Sequence, residues 1–136
     1  MAAPVYSPSI LVAGTNVTTA MATWVPTIAP SSGAFTTQPT VTTAAYTKIG
    51  KLVIYSLQFV LGDVGTGVGA SLLTVTLPST SGYPSTTLLE EYATVGRIDK
   101  GNISAGGTII NIRQQTNISC VATGAGFRWT GFYLEA

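Results

Sequence analysis

The chain has 136 residues, of which 46% are apolar and only 8% are Asp, Glu, Lys or Arg, and its formal net charge is +1 with no histidine. That length suits one domain of ordinary size, and the scatter of Lys48, Lys51, Arg97, Lys100, Arg113 and Arg128 excludes a basic stripe able to neutralise several phosphates. The lack of histidine removes the commonest general base and every His-based metal site, and a lone cysteine, Cys120, leaves no internal disulfide.

An average soluble protein carries about 25% charged residues. Here Thr, Ser, Asn and Gly must keep the exterior wet, and such hydroxyl-rich surfaces suit proteins covered by copies of themselves. Self-association is therefore the first expectation. Residues 1–47 carry no charge at all. They are too rich in large apolar residues for a solvated linker, so we expect an N-terminal arm over residues 1–22 and a β domain over residues 23–136. The arm would dock through Val5, Tyr6, Ile10, Leu11 and Val12. A secretory signal is not expected, because the run Ile10 to Ala13 is short and the first charge is Lys48. Synthesis in a cytoplasm follows from that reading.

Along the chain, short strands are expected near Trp24 to Ile28 and Thr40 to Thr47. A long strand is expected from Ile49 to Leu61, where Val53, Tyr55, Leu57, Phe59 and Leu61 alternate with Leu52, Ile54, Ser56, Gln58 and Val60. Leu72 to Leu77 alternates likewise and stops at Pro78, which cannot donate to a ladder. Thr86 to Ala93 is the one helical candidate. Tyr92 to Ile98, Thr108 to Arg113, Asn117 to Ala122 and Phe127 to Glu135 read as further strands between Gly- and Asn-bearing turns. About eight strands with such spacing predict an all-β fold, a two-sheet antiparallel sandwich of jelly-roll type with an extended N-terminal arm. Its edges would need cover from a neighbour or from the arm. No apolar run approaches the ~20 residues of a membrane-spanning helix, so no membrane insertion is expected.

Chemistry is sparse. The carboxylates are Asp63, Glu90, Glu91, Asp99 and Glu135. Glu90 and Glu91 are adjacent, so on a strand they point to opposite faces and form no convergent acid–base pair; both read as solvated surface charges. Asp63 and Asp99 read as turn residues bonding backbone two positions on. Gly65-Thr66-Gly67-Val68-Gly69-Ala70 matches a dinucleotide-binding turn, yet the residues after it alternate as a strand and supply no helix N-terminus for a pyrophosphate. Cys120 reads as a small buried hydrophobe. Phe127, Trp129 and Tyr133 share a strand face, which fits core or subunit interface, whereas Tyr83, within Ser79 to Ser85, is the aromatic expected on a loop and the candidate for contact with a glycan. No catalytic residue, cofactor or metal is expected.

Two clusters, Thr23-Trp24-Val25-Pro26-Thr27-Ile28 and Tyr46-Thr47-Lys48-Ile49-Gly50-Lys51-Leu52-Val53, occur together. This pairing resembles a β-sandwich domain recurrent in the structural proteins of tailed bacteriophages, in fibres, receptor-binding tips and small capsid-attached proteins. Trp24, Pro26, Tyr46, Lys48, Gly50 and Lys51 carry the resemblance, with Trp129 to Leu134 as weaker support. It implies a homotrimer in a virion, non-enzymatic, decorating or cementing the head by contact with the major capsid protein. A receptor-binding or fibre module that recognises a cell-surface glycan is the alternative it implies. In this setting Gly50 would permit a bulge or close chain approach at the start of a strand.

Overall fold

A computed structural model describes residues 9–12, 15–18, 20–68 and 71–136. Among these residues every element is a strand and no helix forms. Strands β1 (Ser9–Val12) and β2 (Thr15–Thr18) pair antiparallel as a two-stranded sheet of their own, with Ile10 opposite Val17. The remaining strands are β3 (Ala22–Thr23), β4 (Ile28–Pro30), β5 (Thr40–Ile49), β6 (Leu52–Val60), β7 (Leu73–Thr76), β8 (Ser85–Glu91), β9 (Arg97–Ile103), β10 (Ile109–Gln114) and β11 (Gly126–Leu134). They form one antiparallel nine-stranded sheet in the order β3-β5-β6-β11-β8-β9-β10-β7-β4.

The all-β class is as the periodicity predicts. The hydrogen-bonded order runs unbroken through nine strands, and the sheet curls until its two ends meet. What joins them is a short stretch of chain, since β3 lies at one edge, β4 at the other, and only Trp24 to Thr27 separate them. The Trp24 backbone N–H donates to the Ala44 carbonyl on β5, while its indole Nε1 donates to the Thr76 carbonyl on β7, 3.2 Å away. Thr76 N–H in turn donates to the Thr27 carbonyl. Edge cover therefore comes partly from within: the terminal strands are only two and three residues long, Pro30 ends β4, and β5 is irregular between Val41 and Thr43.

Alternation sets the core. Val53, Tyr55, Leu57 and Phe59 of β6 and Phe127, Trp129 and Tyr133 of β11 are buried, with Leu73, Val75, Leu89, Ile103, Ile110 and Ile112 from the other strands. Gly131 lies directly opposite Tyr55, and a Cβ there would sit 2.6 Å from the Tyr55 hydroxyl oxygen. Glycine at this strand-interior position makes room for a buried phenol ring.

Several local expectations are corrected. The strand expected from Ile49 to Leu61 is broken by a tight turn at Gly50 and Lys51, with Ile49 opposite Leu52. Gly50 is needed for its φ of +60°, not for close approach, since nothing lies near its would-be Cβ. Thr86 to Ala93 is not helical: Thr87, Leu89 and Glu91 alternate inward along β8. The strand expected from Tyr92 to Ile98 begins only at Arg97, because Tyr92 to Gly96 wrap around a carboxylate. Asn117 to Ala122 form a loop entered through Asn117 at a φ of +67°. Of the segment expected as a strand from Trp24 to Ile28, only Ile28 lies in one, at the start of β4, while Trp24 to Thr27 are the crossing between the sheet edges.

Candidate functional site

The two clusters behind the phage resemblance meet in space. Trp24 is half-buried, with its ring edge-on to Tyr46 at 6.0 Å and to Tyr55 at 6.2 Å. Tyr55 in turn meets Trp129 and Tyr133, and its hydroxyl accepts from the Trp129 indole at 3.0 Å. Burial pushes the Tyr55 phenol up to about 12. Such edge-on rings stabilise beyond their buried area, so Trp24 and Tyr46 close the end of the curled sheet. Lys48 Nζ donates to Glu135 at 2.6 Å at the rim of this cluster, and that bond raises Lys48 and lowers Glu135. Lys51 is exposed, while its carbonyl accepts from Glu135 N–H. Pro26 is buried and lines an open groove of about 210 Å³ with Thr27, Ile28, Gln38, Pro39 and Val41.

Tyr83 stands on a loop as expected and is 61% exposed. Val5 and Tyr6 lie outside the described residues. Ile10, Leu11 and Val12 fall on β1, and their register with β2 is all that is described. Asp63 accepts from Gly65 N–H at 2.9 Å, the turn bond expected of it. No helix follows the Gly65 loop; the next element is β7. Cys120 is buried, and burial pushes its thiol up to about 12, which removes thiolate reactivity.

Two carboxylates depart from expectation. Glu90 and Glu91 do point to opposite faces, with Glu90 outside, 2.7 Å from Arg128 Nε. Glu91, expected at the surface, is wholly buried. Its Oε1 accepts from the N–H groups of Ala93, Thr94 and Gly126, and its Oε2 from those of Val95 and Gly96. Burial alone would raise this acid, but the backbone donors outweigh it and hold the carboxyl at about 2. Asp99, expected in a turn, is buried on β9. Its Oδ1 accepts from Arg97 Nε at 2.8 Å, its Oδ2 has no partner among the described residues, and burial raises it despite the guanidinium. Composition gave no sign of either environment; the signal for Glu91 was its inward parity with Leu89 and Thr87.

The outward face has two halves. Where β6 starts and β11 finishes it is apolar, with Leu134 opposite Leu52 and Phe132 opposite Ile54. It turns polar further along, at Thr130 opposite Ser56 and Arg128 opposite Gln58. Phe132, Leu134 and Leu88 are 67%, 46% and 62% exposed. Gly82 N–H donates to the Leu134 carbonyl, which sets Tyr83 beside them. Over β9, β10 and β7 the middle of the same face is polar, with Lys100 opposite Arg113, Asn102 opposite Asn111, and Asn111 opposite Thr74, while Ile98 and Ile109 flank it.

Compared with known proteins, the chain matches no family model, no curated protein and no solved structure. Among the described residues no group of three His, Cys, Asp or Glu side chains converges as a metal site requires, and none forms a helix long and apolar enough to cross a membrane. Glu91 is saturated by backbone donors and Asp99 is sealed in the core, so neither is placed to exchange a proton with a substrate.

Proposed function

We propose that the chain is a structural module of a bacteriophage particle, a homotrimer that decorates or cements the head. The observation that carries the self-association is the apolar half of the outward face. Tyr83, Leu88, Phe132 and Leu134 together expose roughly 400–500 Å², at the upper range of what a lone subunit shows to water. That is over half of the ~800 Å² each partner contributes to a standard interface. The rest of the exterior is too poor in charge to offset such a patch.

The phage assignment is supported by the meeting of Trp24 with Tyr46, which gives the two sequence clusters of the resemblance one shared structural task. The mechanism is contact area rather than bond chemistry. A three-fold module engages several capsid subunits at once and gains avidity without any single strong contact, and the uncharged residues 1–22 supply the docking arm.

Sedimentation of the wild-type chain at micromolar concentration should give a trimer, and Phe132→Asp should give folded monomers. A wild-type monomer at that concentration would sink the assembly reading. Removing residues 1–20 keeps β3 intact and should yield a folded trimer that no longer binds particles. The glycan-receptor alternative draws its support from the exposure of Tyr83, and undiminished cell binding by Tyr83→Ala would count against it.

A further inference from the structure

Most of the chain's charge is spoken for within the fold. Lys48 pairs with Glu135, Arg97 with Asp99 and Arg128 with Glu90, and Glu91 is held by backbone. Two of the remaining cations face each other: Lys100 on β9 is the direct cross-strand partner of Arg113 on β10. They alternate with buried Asp99, Gly101 and Ile112, so both project from the outward face, and both are half-buried. Like charges directly opposite on one sheet face repel. The nearest carboxylate on that face, Glu90, is one register step away and engaged by Arg128. Among the described residues Arg113 Nε is buried with no acceptor, a donor taken out of water with nothing there to receive it.

The next row of the same face carries Thr86, Asn102, Asn111 and Thr74 across four strands. Thr86 Oγ1 lies 3.2 Å from Asn102 Oδ1. A row of amides and hydroxyls beside two uncompensated cations fits one kind of ligand. We propose that this face binds an acidic saccharide. A sugar carboxylate sits between Lys100 and the Arg113 guanidinium, whose planar fork matches it, and ring hydroxyls lie along Asn102 and Asn111. Two cations at one place are too few to hold a nucleic acid by phosphate neutralisation. A second copy of this chain does not fit either: of its carboxylates only exposed Asp63 lacks both a cation and a backbone cage among the described residues, and Asp63 caps its own turn. The site borders the apolar patch, since Leu88 is the cross-strand partner of Lys100 on the same face, but its argument rests on the cations and amides and not on self-association.

Titration of the ¹⁵N-labelled full chain with trigalacturonate at low salt tests it. The amides of Lys100, Asn102, Asn111 and Arg113 should shift saturably, and Lys100→Gln and Arg113→Gln should each weaken binding about tenfold. The neutral methyl ester of the same trisaccharide should not bind. No shift at millimolar trigalacturonate, or equal affinity for the ester, would overturn the proposal. So would inorganic phosphate or a short oligonucleotide binding as tightly as the saccharide. Arg113→Gln should melt no lower than wild type, since it relieves repulsion; a large fall in melting temperature would mean the pair is structural.

Discussion

The two ends of β11 are built on opposite principles. At its start, Gly126 N–H and the loop Tyr92 to Gly96 are gathered around one ionised carboxylate, Glu91. At its finish, Trp129 and Tyr133 pack with Tyr55 and Trp24 in a nest of aromatic rings that joins the edges of the curled sheet. The first end needs a charge because a loop turning through five residues leaves backbone donors that no strand can satisfy. The second needs area, because two short edge strands supply few hydrogen bonds of their own. A protein so short of ionised groups thus places one of them where backbone donors are densest.

The largest effect should come from Glu91→Gln, which puts an NH₂ donor among backbone donors and removes the charge they solvate. We expect a loss of about 3 kcal/mol, read as a fall in melting temperature of roughly 10 °C. Because the folded carboxyl sits at about 2, below its usual value of 4.5, its stabilisation is complete above pH ~4.5 and fades as pH falls toward 2. Asp99 works the other way: raised in the fold, it favours the native state when protonated, so it softens the acid transition. Wild type should lose stability on acidification through this window, and Glu91→Gln should lose much less. Parallel curves for the two proteins would remove Glu91 from the explanation.

Next comes Trp24→Ala, expected to cost about 2–3 kcal/mol, below a fully buried tryptophan because the side chain is only partly buried. Unlike Glu91→Gln, its cost should not vary between pH 3 and 7. If it did, the aromatic end would owe its stability to charge and the contrast between the two ends would fail.

Much of the aromatic end was legible in the sequence. The alternation in Leu52 to Leu61 and Phe127 to Leu134 gave the inward faces correctly, and Tyr83 stands on its loop. The joining of the edges through Trp24 was not legible, because strand order depends on contacts tens of residues apart, such as Trp24 to Thr76. The carboxylate end differs from the expectation: Glu91 reads as a surface charge and Asp99 as a turn residue, because burial of an acid is set by what folds over it, and Ala93 to Gly96 show no pattern until they do. Gly50 was legible as special but for the wrong reason, as a bulge and not as the left-handed corner of a turn.

Between the ends, Gly131→Ala should cost about 1–3 kcal/mol by driving a methyl into the Tyr55 ring and its hydroxyl. The double variant with Tyr55→Leu should recover part of it, since the hydroxyl and the ring carbons Cζ and Cε1 that crowd the methyl are all gone, even though the Trp129 donor is then unpaired. No recovery would place the strain in the backbone of β11 and not in the ring.

The smallest effect belongs to the rim of the aromatic end. Lys48 and Glu135 form a short ion pair, but their side chains are 38% and 28% exposed, so water and salt screen them. Glu135→Gln should cost less than ~1 kcal/mol, and that cost should shrink further in molar salt. Glu135 is also held through its backbone, its N–H donating to the Lys51 carbonyl, and Ala136 N–H donates to the Thr80 carbonyl. The chain end therefore stays in place when the charge is removed. A loss as large as that of Glu91→Gln would show that an exposed pair can do what a caged carboxylate does, and the division between a charged end and an aromatic end would then be one of geometry alone.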